Sequence, residues 1–225
     1  MKKQLALIIT LITAIGTNAF AQGYVIFLTA KNNAYDEFTT PGSGVVAPGT
    51  VTATFLWAAT GTADPLGAGV ATTGVSSISG GWSTVASMLS SGWNVATNNF
   101  PSAQIDVADN DGGVQAGAFN YNGGSSFQLA NTVGGSTYEF VVIGWDNQGG
   151  ESTLEEAMAD NVAMGWSGSF DYTTGEPKGV AIDTFAQAGE TSFGIAPVPE
   201  PATLALAGLG GLSLLFLRRK ASFHE

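Results

Sequence analysis

The chain reads as all-β: an antiparallel β-sandwich of immunoglobulin-like or jelly-roll-like type with one short helix, flanked by an N-terminal signal-peptide helix and a C-terminal transmembrane helix. Two patterns predict the sandwich. Apolar residues come in short segments rich in β-branched and aromatic side chains, at 25–28, 51–57, 104–107, 126–129, 137–145 and 167–172, the composition of pleated, half-buried strands. Between them stand Asp111-Gly112, Asn122-Gly123, Gly134-Gly135 and Gly149-Gly150, dipeptides that supply the positive φ of tight turns. A third observation is that no long helical periods alternate with these strands, which argues against a parallel α/β sheet. About 175 residues, at 22–196, lie between the terminal segments, enough for one domain with a sizeable core.

At the N-terminus, Lys2 and Lys3 precede an apolar stretch at 5–15, and Ala19-Phe20-Ala21 follows. Charged region, short apolar region and A-x-A site in that order are a secretory signal, so signal peptidase should leave Gln22 as the first residue. Further on, Gly80-Gly81-Trp82 and Ser91-Gly92-Trp93 look like two copies of a turn-plus-strand unit and read as a hairpin. In the segment 137–145, Phe140 and Val142 share one face and Trp145 closes the run, so this strand is core. Ser152-Thr153-Leu154-Glu155 reads as a capping box with Ser152 at the N-cap and Glu155 three residues on. Leu154, Met158 and Val162 then fall four apart, predicting a helix over 153–163 that covers an edge or end of the sandwich. Glu155 and Glu156 belong to its solvated first turn, where the helix dipole favours them.

Charge narrows the function. The chain carries 18 acidic and 7 basic residues, a formal net charge of −11, and between Gln22 and Val198 only Lys31 and Lys178 are basic. Phosphate binding needs Lys and Arg, so nucleic acid is excluded as a partner. There is no Cys, and the single His, His224, lies beyond the domain, which removes disulfides, thiol chemistry and the commonest catalytic base. Asp106-Val107-Ala108-Asp109-Asn110-Asp111-Gly112 suggests calcium, with Asp109 and Asp111 converging on a hard cation. Against that, setting Gly112 on the invariant glycine of an EF-hand loop puts Val107 at the first ligand position and Ala118 at the last. A polar hairpin turn explains the segment equally well. No signature of the common hydrolase, nucleotide or zinc classes occurs, so no catalytic residue and no cofactor is assigned. Two carboxylates across a cleft would still suffice for glycoside hydrolysis.

Aromatic residues give the better lead. Trp57, Trp82, Trp93, Trp145 and Trp166 could offer flat faces to sugar rings, with Asn and acidic side chains taking hydroxyls. Trp82 and Trp93, next to Gly and among Ser and Asn, are the two expected to be exposed.

The C-terminal segment at 197–221 is the most specific feature. Val198-Pro199-Glu200-Pro201 precedes an apolar run at 202–217, which ends at Arg218-Arg219-Lys220. Pro199 and Pro201 hold the chain extended, so a helix begins only at or after Pro201. At ~1.5 Å per residue the run spans roughly 24 Å, short of a ~30 Å hydrocarbon core by a gap that snorkelling Arg218 and Arg219 can close. Lys2, Lys3 and the Arg218 to Lys220 cluster both prefer the cytoplasm, which places the domain on the far side. The Pro199-Glu200-Pro201 motif, apolar run and basic cluster resemble the PEP-CTERM sorting segment of exported bacterial proteins. That resemblance implies an inner-membrane stage and an exosortase-type sorting enzyme as partner, with delivery to the cell surface or extracellular medium. It also associates the chain with bacteria that make extracellular polysaccharide. The reading that follows is a structural or adhesive exported protein and not an enzyme; alternatives are a carbohydrate-binding module and, less directly, a two-carboxylate glycosidase.

Overall fold

The computed structural model describes residues 22–39, 42, 44–99, 102–104, 107–108, 116–176 and 182–199. The signal peptide with Ala19 and Ala21, the calcium candidates Asp109 and Asp111, Glu200, Pro201, the apolar run and the basic cluster fall outside them. Gln22 and Pro199 are the outermost described residues.

The centre of the molecule is one long antiparallel pair, β3 (Val51–Ala59) and β9 (Thr137–Asp146), in register from Val51 opposite Asp146 to Ala59 opposite Tyr138. These are the longest uninterrupted β-branched and aromatic runs of the sequence. Side chains alternate across the pair, and both faces are apolar. Ala53, Phe55, Trp57, Phe140 and Val142 point into one core, while Leu56, Ala58, Val141, Ile143 and Trp145 point into a second. Other described segments cover these two faces.

Four strands extend the central sheet. On the β9 side are β10 (Met164–Trp166) and β11 (Phe170–Thr173); on the β3 side are β4 (Asn94–Val95) and β7 (Val107–Ala108). A second sheet runs in the order β1 (Gly23–Val25), β8 (Phe127–Leu129), β5 (Thr97–Asn99), β6 (Ser102–Gln104). Its Val25, Phe127 and Leu129 share the first core with the central sheet. Phe185 is the hub of that core, with ring centroids 4.9–5.6 Å from Phe27, Phe55, Phe140, Phe170 and Tyr172, mostly in the edge-on geometry that aromatic quadrupoles favour. Tyr172 Oη donates to the Asp183 carbonyl at 2.6 Å and accepts from the Ile26 amide at 3.1 Å, and burial pushes its phenol up to about 12.

A third pairing departs from the antiparallel expectation. β2 (Ala34–Asp36) and β12 (Phe193–Ile195) run parallel, Phe193 opposite Ala34. Glycine brings a further strand against β12: a Cβ on Gly165 would collide with the Gly194 carbonyl oxygen, so β10 and β12 touch backbone to backbone.

Two helices, not one, cover the second core. The stretch expected to be a hairpin is instead α1 (Gly81–Ser90), which buries Trp82, Val85 and Met88 at helical spacing. Gly80 at φ 73° opens it with no side-chain cap, so the sequence gives no start signal there. The other helix, α2 (Leu154–Asp160), is shorter than 153–163 and begins one residue later than expected. Thr153 is the cap: its Oγ1 accepts from the Glu156 amide at 3.2 Å, and Glu156 Oε2 accepts from the Thr153 amide at 3.1 Å. Glu156 also accepts from both the amide and the hydroxyl of Ser152, and these hydrogen bonds hold its carboxyl below the usual range. Asn161, at φ 53°, ends the helix in the left-handed region.

Among the described residues the fold is mostly strand, in several sheets, with about 13 % helix. Among the described residues no helix is long and apolar enough to cross a membrane.

Candidate functional site

Trp82 and Trp93 are not exposed. They are 5 % and 2 % accessible and belong to the second core. Each indole N–H is satisfied by a loop carbonyl: Trp82 Nε1 donates to Val162 at 2.8 Å and Trp93 Nε1 to Ala63 at 3.0 Å. Trp145 and Trp166 do the same with Glu151 and Ala68. A buried indole N–H must find an acceptor, and glycine-rich loops leave carbonyls unpaired, so these side chains fasten loops to the core. Their polar neighbours in sequence, Ser83 on the outer side of α1 and Ser91 and Asn94 around the turn after it, are exposed, while the two rings point inward.

Several acids are structural as well. Glu37 is fully buried; its Oε1 accepts from the Gly42 amide at 2.9 Å and its Oε2 from the Gly74 amide at 3.1 Å. One carboxylate thereby ties together two loops whose glycines have positive φ. Burial raises the Asp146 carboxyl, and the charges of Glu151 and Asp36 raise it further. Two surface cavities contain acid pairs. One, about 260 Å³, holds Glu139 and Asp171, which face each other across β9 and β11; another, about 320 Å³, holds Glu176 and Asp183. Asp171 is exposed on an open sheet face, an arrangement that does not exclude water from a reacting centre. Among the described residues no group of three or more His, Cys, Asp or Glu could hold a metal ion.

A different polar cavity, of about 470 Å³, opens beside the second sheet. Tyr24, Asn98, Tyr121, Asn122, Ser126, Phe127 and Gln128 line it. Tyr24 and Gln128 face each other across β1 and β8, on the side away from the core. Gln128 Nε2 donates to Tyr24 Oη at 2.8 Å, and Asn98 Nδ2 to Tyr121 Oη at 3.1 Å. The tyrosines are about a hundred positions apart in the chain, so nothing in the sequence pattern joins them.

The chain end is held just as firmly. Phe193 and Ile195 are fully buried, and Ala196 exchanges both backbone hydrogen bonds with Met164 at 2.9 and 3.0 Å. The Pro197 carbonyl accepts from the Ile78 amide at 2.8 Å, and the Val198 carbonyl from Asn161 Nδ2 at 3.4 Å. Pro199 is exposed. The fold therefore delivers the chain to Pro199-Glu200-Pro201 with no spacer, on the helix-bearing face.

A folded domain running straight into such a tail is an exported protein with a C-terminal sorting signal. Specifically, residues 197–220 match the PEP-CTERM protein-sorting motif, which implies recognition by exosortase-type sorting machinery. No curated protein and no solved structure matches the chain.

Proposed function

We propose that this is a cell-surface or extracellular-matrix protein of structural or adhesive type. In this reading signal peptidase cleaves after Ala21, the segment 202–217 holds the chain briefly in the inner membrane, and the sorting enzyme then removes the tail. The protein acts through its folded surface and needs neither a catalytic centre nor a cofactor. The observation that best supports the reading is the continuity of domain and motif, in which ordered contacts reach Val198 and the sorting motif spans 197–220.

The tail is the place to test it. Insertion depends on the apolar run and orientation on Arg218, Arg219 and Lys220, and neither requires a carboxylate. Glu200→Ala should therefore impair tail removal while leaving insertion intact. Replacing the three basic residues together should weaken membrane retention, because the short helix loses its snorkelling end. Immunoblots of a C-terminal epitope and of the membrane fraction, in a host with the matching sorting enzyme, read both effects. Normal tail removal in the Glu200 variant would overturn the processing role.

A second reading, a carbohydrate-binding module acting on extracellular polysaccharide, is favoured by the tyrosine-lined cavity. A glycosidase would have to rest on Glu139 and Asp171 or on Glu176 and Asp183, in surface cavities that support it less.

A further inference from the structure

We infer that the cavity between Tyr24 and Tyr121 is a binding site for an uncharged glycan. The inference deepens the carbohydrate-binding reading and rests on it, but does not depend on how the tail is processed.

The lining selects the ligand class. In a chain of net charge −11, this cavity has no Asp, Glu, Lys, Arg or His among its described lining residues. A charged ligand would find no counter-charge there, and burying an ion without one is costly. What the lining offers instead is two phenols, three side-chain amides and a hydroxyl. Polyols present that combination in reverse, with hydroxyls that both donate and accept and ring faces of C–H groups that pack on aromatic carbon. The volume, about 470 Å³, lies within the range of small-ligand sites.

The groups are also fixed in advance. Tyr121 is set edge-on to Phe127, ring centroids 4.7 Å apart at 74°, and its amide donates to the Phe27 carbonyl at 3.0 Å. Each phenol oxygen already accepts from an amide, Tyr24 from Gln128 and Tyr121 from Asn98. The phenol protons are therefore left to donate outward to a ligand oxygen. Beside them the turn at Asn122–Gly124 keeps positive φ at all three residues and leaves Asn122 exposed at the rim. Little conformational entropy remains to be lost on binding.

Position fits presentation. Phe127 belongs to the first core and Val198 packs on the second, and the β3–β9 pair lies between the two. The cavity thus sits across the central sheet from the root of the sorting tail. While the tail is still in the membrane, the cavity is on the side turned away from that root.

The test uses the full chain in mild detergent, run by affinity electrophoresis through gels cast with a neutral polysaccharide (dextran, mixed-linkage β-glucan or galactomannan) or with the polyuronate alginate. Retardation by at least one neutral polymer and not by alginate is expected. Tyr24→Ala and Tyr121→Phe should each weaken it on the order of tenfold, the factor carried by one lost hydrogen bond or stacking face. Tyr121→Phe keeps the ring against Phe127, so an unchanged melting temperature in that variant separates lost binding from lost folding. No retardation by any neutral polymer, preference for alginate, or retardation indifferent to both substitutions would overturn the proposal. Tail removal in the same variants should stay normal, so failure here leaves the sorting reading standing, and failure of Glu200→Ala leaves this one.

Discussion

Glu190 is the residue whose environment is most at odds with its chemistry. Burial pushes its carboxyl up to about 8, although Asn33 Nδ2 donates to Oε2 at 2.8 Å and lowers it in part. Asn33 is 1 % accessible, and its Oδ1 and Glu190 Oε1 are both buried oxygens without a partner. A protonated carboxyl supplies the donor that an ionised one lacks, so protonation suits a buried Glu190 that has an amide as its neighbour. Because the folded value lies above the ordinary 4.5, the stabilisation is complete below about 4.5 and is lost as pH rises toward 8. The limiting slope is about 1.4 kcal/mol per pH unit; Glu190 is half-buried, so a fraction of that is expected. The domain has no His or Cys to titrate between pH 6 and 8. Urea unfolding at pH 5, 6.5 and 8 should show stability falling with pH in the native chain and much flatter in Glu190→Gln. A slope unchanged in the variant would assign the effect elsewhere. Trp93 makes a complementary case: Trp93→Phe keeps most of the apolar bulk but strands the Ala63 carbonyl, and should cost about 1–3 kcal/mol in the same assay.

At the scale of elements, what could be read in the sequence follows from how local its cause is. The strands at 51–57 and 137–145 announce themselves because all but Leu56 and Glu139 of their seven and nine residues are β-branched, aromatic or small, and the structure extends each only slightly. The helix near 154 is visible through its capping box, although Ser152 and Thr153 both offer hydroxyls and the geometry chooses Thr153. Thr153→Ala should lower stability by about 1 kcal/mol, read as a shift in thermal midpoint, whereas Ser152→Ala should do less. The other helix, α1, is illegible, since Gly80, Gly81 and four serines argue for a turn and only burial of Trp82, Val85 and Met88 outweighs them. β12 escapes for another reason, namely that its partner β2 lies about 160 positions away and a three-residue strand has no period of its own. The cavity residues are equally scattered, and Trp82 and Trp93 mislead because their neighbours along the chain are polar and exposed while the rings point inward. Backbone contact at Gly165 gives the sharpest test of this layer. Gly165→Ala forces a Cβ against the Gly194 carbonyl, where no flexible side chain can yield. A loss of about 1–3 kcal/mol or more is expected from thermal unfolding, and an unaffected midpoint would mean that β10 and β12 separate freely.

Over the whole molecule, the junction between domain and tail decides how the protein survives its own processing. Removal of the sorting segment deletes chain from one end of a fold whose last strand is structural. β12 pairs with β2, buries Phe193 and Ile195 completely, and through the Glu37 amide, which donates to the Ile195 carbonyl at 2.9 Å, joins the loops that Glu37 clamps. Beyond it the ordered contacts are the Ala196–Met164 bridge and the carbonyls of Pro197 and Val198. Nothing in the domain is seen to depend on the exposed Pro199. A chain ended after Val198 should therefore melt within about 2 °C of the full-length protein, since it forfeits less than roughly 1 kcal/mol. Ending it after Ala196 removes two hydrogen bonds and the half-buried Val198, worth about 1–3 kcal/mol together, and should lower the midpoint by several degrees at ~2–4 °C per kcal/mol. Ending it after Ser192 exposes the hole left by Phe193 and Ile195, a loss of about 5 kcal/mol or more, close to the entire stability of an ordinary domain. Calorimetry on the three chains orders them, and the graded series is the expected result. A chain ended after Val198 that unfolds well below the full-length protein would show that the tail stabilises the domain, so that sorting could not release it intact.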